Sequence, residues 1–376
     1  MNDQEQLPVV IGGMVLDIDA IPSVPSNPRT TTPGKVNYAL GGVARNVAEC
    51  MSKLGAKPYM ISAVGLDMAG NMLLDQWKSA QLCTEGIRMH QDIETAVVCN
   101  IFDGDGELAA AVASVGAIEK FVTPDWVWKF NSKISASPVL VLDANLSPAT
   151  LEAACQLAAK SNTPVWFEPV SVVKSKRVAT VAKYVTFASP NEDELIAMAN
   201  ALSSVDVFSP IKREGSGIKL PVRDLFQILK PAISVLLQRG IKVVVVTLGS
   251  DGVFLCSREK HDLKKLNFSR NQTHSFSGKL YETIHSICCP EWDFSIPKCK
   301  TSFFAVHLPA LSASVMRLTG AGDCLVGGTL ASLCAGLDVM QSVAVGIAAA
   351  KAAVEVESNV PAGFNLDKIS GVHPKT

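Results

Sequence analysis

Residues 317–328 read RLTGAGDCLVGG, a Gly-Ala-Gly turn that delivers a carboxylate, Asp323, to the start of an apolar helical stretch. A glycine-rich turn entering a helix aims several backbone N–H groups in one direction, and the helix dipole adds positive potential there. Anions bind such places. A carboxylate at the mouth would repel a phosphate unless it had another task, and taking the proton of an attacking hydroxyl is such a task. The amides of Gly320, Ala321 and Gly322 would then hold the charge of a transferring phosphoryl group. The same residues also fit an ordinary helix start with Asp323 as its cap.

Three further stretches carry residue types suited to the same chemistry. GGVARN, at 41–46, is a second glycine pair (Gly41, Gly42) running into a helix, with Asn46 able both to donate and to accept hydrogen bonds. NEDE, at 191–194, sets Asn191 and Glu194 one turn apart on a helix face, an arrangement suited to magnesium-bound water and phosphate. TLGSDG, at 247–252, closes a very apolar strand with Thr247, Gly249 and Gly252, which lets backbone approach a nucleotide. GAGDCL lacks the third glycine of a dinucleotide fingerprint and no GxxxxGK[ST] occurs, which argues against an NAD-dependent dehydrogenase and a P-loop enzyme.

Positioning these residues requires a scaffold, and the chain alternates two kinds of segment. LPVVIGGMVL, KPYMISAVG, PVLVLDA, TPVWFEP, YVTFASPN and IKVVVVTLGS read as strands buried on both faces. Between them, 43–54, 149–160, 191–202 and 224–239 carry apolar residues at helical spacing. That alternation predicts an α/β fold with a mostly parallel central sheet flanked by helices, whose ligands gather beyond the carboxyl ends of the strands. Residues 18–40, rich in Pro, Thr and Ser, and 95–114, two strand-like runs around DGDG, predict a small β-strand lid. Segments 203–222 and 257–303 read as surface insertions. The second holds ICCPEW and Cys299 without zinc-site spacing.

The 376 residues are 48% hydrophobic, enough for a large core, and 34 Lys+Arg nearly balance 35 Asp+Glu. No nucleic-acid or membrane surface is expected from that balance. Ten scattered cysteines and an amino terminus without a signal-like segment predict a reduced intracellular protein. Cytoplasm is the expected compartment, with the peroxisome as alternative although the tail HPKT is not its SKL signal.

Taken together and in this order, GGVARN, NEDE, TLGSDG and GAGD make the chain resemble the ribokinase-like (PfkB) carbohydrate kinase family over about residues 8–363, apart from the two insertions. The resemblance implies a single kinase domain using ATP with Mg2+ and a small-molecule substrate. It implies Asp323 as catalytic base with Gly320, Ala321 and Gly322 as anion hole. Asn191, Thr247, Gly249 and Gly252 would contact ATP, and Glu194 would serve magnesium, through water. Asp17, in GGMVLDID, falls where the family binds a sugar hydroxyl, with Gly41, Gly42 and Asn46 completing the sugar site. The lid would close over the sugar and exclude water.

Within that family, GGVARNVAE, EPVS at 168–171 followed by Lys174, and VEVESNV are most similar to the members that act on pseudouridine. That implies transfer to the 5′-hydroxyl of a ribosyl substrate, with Glu168 and Lys174 beside it and Asn100 able to meet a uracil edge. Ribose, fructose or uridine, or a catalytically silent nucleotide-binding role, are the alternatives. Two departures stand out. Arg317 replaces an aspartate associated with a monovalent-cation site, so K+ activation is expected to be weak or absent unless backbone carbonyls alone build that site. Val15 replaces a polar residue and removes one sugar contact. Ile347 is placed at the purine border and Lys351 in solvent, and an exposed face of the lid strands admits a homodimer.

Overall fold

The computed structural model of the chain describes residues 6–25, 29–103, 108–203, 207–211, 220–263 and 303–364. Most of the 203–222 and 257–303 segments, including ICCPEW and Cys299, lies outside the described residues, as does most of the DGDG turn.

In chain order the strands are β1 (Val9–Ile11), β2 (Val15–Pro22), β3 (Gly34–Gly41), β4 (Tyr59–Gly65), β5 (Ile87–His90), β6 (Ala96–Phe102) and β7 (Leu108–Ser114). They continue with β8 (Leu140–Asp143), β9 (Val165–Glu168), β10 (Phe187–Ala188), β11 (Val243–Thr247), β12 (Val253–Ser257) and β13 (Phe304–Leu308). Nine of them form one sheet in the order β13-β12-β11-β10-β9-β8-β1-β4-β5. Neighbours run parallel from β11 through to β5, and antiparallel at β11–β12 and β12–β13. The reason lies in the side chains. Ile11, Leu142, Phe167, Val244 and Val246 pack into an apolar cluster on one face, while Val10, Val141, Trp166, Val243 and Val245 pack into another on the opposite face. A strand apolar at every position needs helices on both sides, and parallel crossovers supply them.

The second sheet has the order β3-β2-β6-β7, with β2–β6 parallel and the other pairs antiparallel. Strand alternation gives it two unlike faces. Asp17, Asp19, Asn37, Val98 and Asn100 share one face by register, and Ile18, Val36, Tyr38, Ile101 and Val112 share the other. Val36, Tyr38, Ile101 and Val112 on that second face are exposed.

LPVVIGGMVL, expected as one strand, is two. The chain leaves the large sheet after Ile11 and enters the small one at Val15. A Cβ at Gly12 would overlap the Asp143 carboxylate, and Gly13 N donates to Asp143 Oδ2 at 2.8 Å, so the glycine pair lets the backbone turn around a buried acid. Among the described residues no helix is long and apolar enough to cross a membrane.

Candidate active site

The helix Ala321–Cys334 begins at Gly320, which sits in the left-handed region with φ of 87°, and no side chain caps it. That conformation suits glycine, and a Cβ there would also overlap the carbonyl of Asn359. Asp323 is therefore not the helix cap. It lies in the first turn and instead accepts a hydrogen bond from Asn46 Nδ2 at 2.7 Å. Cys324 N reaches Gly320 O at 2.9 Å and Ala321 N reaches Leu318 O at 3.3 Å. Gly322 and Asp323 lie between them, in the turn whose N–H groups have no carbonyl one turn back. Gly322 is exposed and faces open space.

Asp323 is half-buried, and its carboxyl is pushed up to about 7. Burial is the main cause, the Asn46 bond opposes it, the carboxylates of Asp143 and Asp17 add to it, and Arg45 opposes it. A base whose ionisation falls near neutrality combines a populated carboxylate with useful proton affinity.

The residues expected to bind the acceptor are wired by side chains. Asp17 and Asp19 point from β2 on one face; Asp17 Oδ2 accepts from Asn359 Nδ2 at 3.0 Å, and Asp19 Oδ2 pairs with Arg317 Nη1 at 2.8 Å. Burial raises the Asp17 carboxyl above its ordinary value. Asn100, half-buried, donates from Nδ2 to Asp19 Oδ1 at 2.9 Å, so its amide NH2 is directed at a carboxylate. Arg317 is thus an ion-pair partner of the small sheet. Val15 is buried.

At the strand ends beneath, Asp143 is fully buried and accepts from Gly13 N, Asn145 N at 3.0 Å and Ala44 N at 3.4 Å; burial raises its carboxyl. Glu168, at the end of β9, accepts from Ser189 Oγ, and burial holds its carboxyl well above the usual range. Half-buried Lys174 donates to Asn145 Oδ1 at 2.5 Å, and burial lowers its ammonium. Gly41 and Gly42 lead into the helix Val43–Lys53, which carries Asn46.

The nucleotide-side candidates differ in kind. Asn191 and Glu194 form a reciprocal cap: Glu194 N donates to Asn191 Oδ1 and Asn191 N to Glu194 Oε2, both at 2.9 Å. Glu194 is buried, which raises its carboxyl. Asn191 also bridges to Thr247, bringing NEDE beside the end of β11. Gly249 is exposed at the following turn, and Gly252, at φ of 91°, lies where a Cβ would overlap the Leu308 carbonyl. Ile347 is buried in the apolar cluster of the helix Val339–Val354, and Lys351 pairs with Glu355 at 2.9 Å instead of standing free in solvent.

Arg45, Asp19, Asp143, Asn145 and Asn359 were not found by reading motifs. Arg45 lies inside GGVARN, Asp19 inside GGMVLDID, Asp143 inside PVLVLDA and Asn359 inside VEVESNV, but no local spacing marks them as partners, because Asp19, Asp143 and Asn359 reach the site through long-range pairing.

The pattern of the pfkB family carbohydrate kinases matches residues 6–272. The pseudouridine kinase of Arabidopsis thaliana is 52% identical over 365 residues, covering 97% of this chain and 94% of that protein. The pseudouridine kinase of Escherichia coli is 27% identical over 246 residues, covering 65% of this chain and 71% of that protein. In fold the chain is similar to Arabidopsis thaliana ribokinase complexed with ribose and ATP, with a TM-score of 0.69, 16% identity, and 97% and 98% of the two chains covered. The ribokinase-like sheet, the family match and the long high-identity alignment agree: this chain belongs to the pfkB family of carbohydrate kinases, phosphotransferases that use ATP and an alcohol acceptor.

Proposed function

We propose that the chain phosphorylates the 5′-hydroxyl of pseudouridine, giving pseudouridine 5′-phosphate. The observation that carries the chemistry is the Asp323 carboxyl, half-buried, pushed up to about 7 and held by Asn46 beside the open amides of a helix start. The substrate rests on the 52% identity to the Arabidopsis enzyme along nearly the whole chain.

In this reading Asp323 accepts the hydroxyl proton as the oxygen attacks the γ-phosphorus and ADP leaves; the Gly320, Ala321 and Gly322 turn serves as anion hole chiefly through the open amide of Gly322, since Ala321 N already reaches Leu318 O at 3.3 Å. Asp17, Gly41, Gly42 and Asn46 hold the ribosyl hydroxyls. Glu168 and Lys174 flank it from the strand ends, and Asn100 faces the base. Because Asn100 gives its NH2 to Asp19, its carbonyl is left to accept an N–H of the base. Asn191, Thr247, Gly249 and Gly252 line the nucleotide side by backbone and small side chains, with Ile347 packed below the purine. Alignment of the two substrates and preorganised dipoles supply most of the acceleration.

Magnesium fits this donor set as a companion of the nucleotide. No cluster of three His, Cys, Asp or Glu is found among the described residues, and Glu194 gives only Oε2 to the cap, leaving Oε1 for a metal-bound water. The ion would neutralise phosphate charge when bound. The Arg317–Asp19 ion pair supports weak or absent K+ dependence, since a fixed guanidinium already supplies a positive charge there. The single domain spans 8–363, with β2, β3, β6 and β7 as its lid, and the exposed apolar face of that lid favours a homodimer. The free thiols of the described cysteines suit a reducing compartment, and the cytoplasm is the one proposed, with the peroxisome as alternative.

A side-by-side assay with pseudouridine, uridine, ribose and fructose, each with ATP, tests the reading. The highest kcat/KM is expected for pseudouridine. A higher value for any of the others would overturn the substrate assignment, and no turnover of any would leave a nucleotide-binding role instead.

A further inference from the structure

Arg45 is 2% exposed and Glu49 is 5% exposed, one turn apart on the helix that carries Asn46. Burying two charges is costly unless the pair is fully engaged, and replacement by apolar residues is often no worse for stability. Retention of such a pair beside a reactive carboxyl calls for a reason other than packing.

The hydrogen bonds supply one. Arg45 Nη2 pairs with Glu49 Oε2, and Arg45 Nη1 donates both to Asn46 Oδ1 at 2.7 Å and to Leu40 O at 2.8 Å. Glu49 is in turn held on its other oxygen by Lys53 Nζ at 2.8 Å and Gln76 Nε2 at 2.9 Å. An asparagine amide can present either end to a neighbour, and the two ends would have opposite effects on a carboxylate. With Oδ1 claimed by a guanidinium, Nδ2 is the end left for Asp323, at 2.7 Å.

We infer that Arg45, clamped by Glu49, is a positioning residue for the phosphoryl-transfer reaction: it fixes the Asn46 amide so that its NH2 faces Asp323, and ties that amide to the end of lid strand β3 at Leu40. This inference rests on Asp323 being the base. The groups around Asp323 are Arg45 and Asn46 from the helix, Asp17 from β2, Asp143 from β8 and Glu168 from β9. Only Arg45 and Asn46 among them favour its ionised form. Loosening the clamp therefore leaves three carboxyl groups to oppose ionisation.

The test uses the full-length double variant Arg45→Met with Glu49→Leu, which removes both charges together and leaves neither buried alone, and Arg45→Lys, which keeps the charge but lacks the two-pronged donor geometry. For both we expect kcat to fall about tenfold or more and the acid limb of the kcat–pH profile to move to higher pH. The KM for ATP should stay within about twofold, because no part of the clamp lies on the nucleotide side. A folded double variant with wild-type kcat and an unmoved limb overturns the inference. If the double variant does not fold, Arg45→Lys decides by the same two readouts. Asp323→Asn measured in parallel separates the two claims: its normal turnover would overturn the base itself, whereas its loss beside an unaffected clamp variant would overturn only the role of Arg45.

Discussion

The two sides of the proposed site are built in different ways. On the proposed acceptor side, Asp17 pairs with Asn359, Asp19 with Arg317, and Arg45 with Asn46, which holds Asp323, all by side-chain hydrogen bonds between 2.7 and 3.0 Å, most of them between elements far apart in the chain. On the nucleotide side, Thr247, Gly249 and Gly252 present a strand end and a turn, and the polar pair Asn191–Glu194 is occupied in capping its own helix. The contrast teaches where selectivity is placed. A charged network fixed before binding can reject a molecule that leaves one of its members unpaired, whereas backbone and glycine accept a common co-substrate by shape.

Breaking the acceptor side should have the larger effect. Asp17→Ala removes a carboxylate from the polar face of the small sheet and leaves Asn359 Nδ2 with Leu40 O, at 3.1 Å, as its remaining acceptor. A hydrogen bond to a charged group is worth roughly 1.5–3 kcal/mol, so steady-state kinetics should show acceptor kcat/KM reduced by about 10- to 150-fold, with the KM for ATP nearly unchanged. An equal rise in both KM values would erase the proposed division. Gly252→Ala probes the other side and should do less to selectivity. Its left-handed backbone and the nearby Leu308 carbonyl impose strain of about 1–3 kcal/mol on any side chain. The KM for ATP should rise severalfold and thermal unfolding should fall by a few degrees, while the order of preference among acceptors is kept.

The same division explains what could be read from the sequence. The glycine turn with Asp323, the GGVARN helix start and the alternation of buried strands and helices are local patterns, and each was visible as such. Partners of the acceptor side were not, because Asn46 meets Asp323 across 277 residues, Arg317 meets Asp19 across 298 and Asn359 meets Asp17 across 342. No local spacing encodes such pairs. NEDE carries two readings at once: N-x-x-E is also a helix-capping pattern, and the structure shows those cap bonds, so the spacing alone does not separate a cap from a nucleotide contact. LPVVIGGMVL read as one strand because hydropathy carries through the glycine pair, whereas the buried Asp143 that turns the chain is about 130 residues away.

The central claim is that the Asp323 carboxylate takes the proton, and the pH dependence of kcat/KM for the acceptor tests it most directly. Asp323 sits at about 7 in the folded enzyme, against roughly 3.9 for an ordinary aspartate, so the active carboxylate is depleted as pH falls below neutrality. The account predicts an acid limb of unit slope bending near pH 7, together with a drop in kcat of about 10²- to 10⁴-fold in Asp323→Asn with the KM for ATP unchanged. A profile flat from pH 5 to 8, with Asp323→Asn turning over near the wild-type rate, would contradict it.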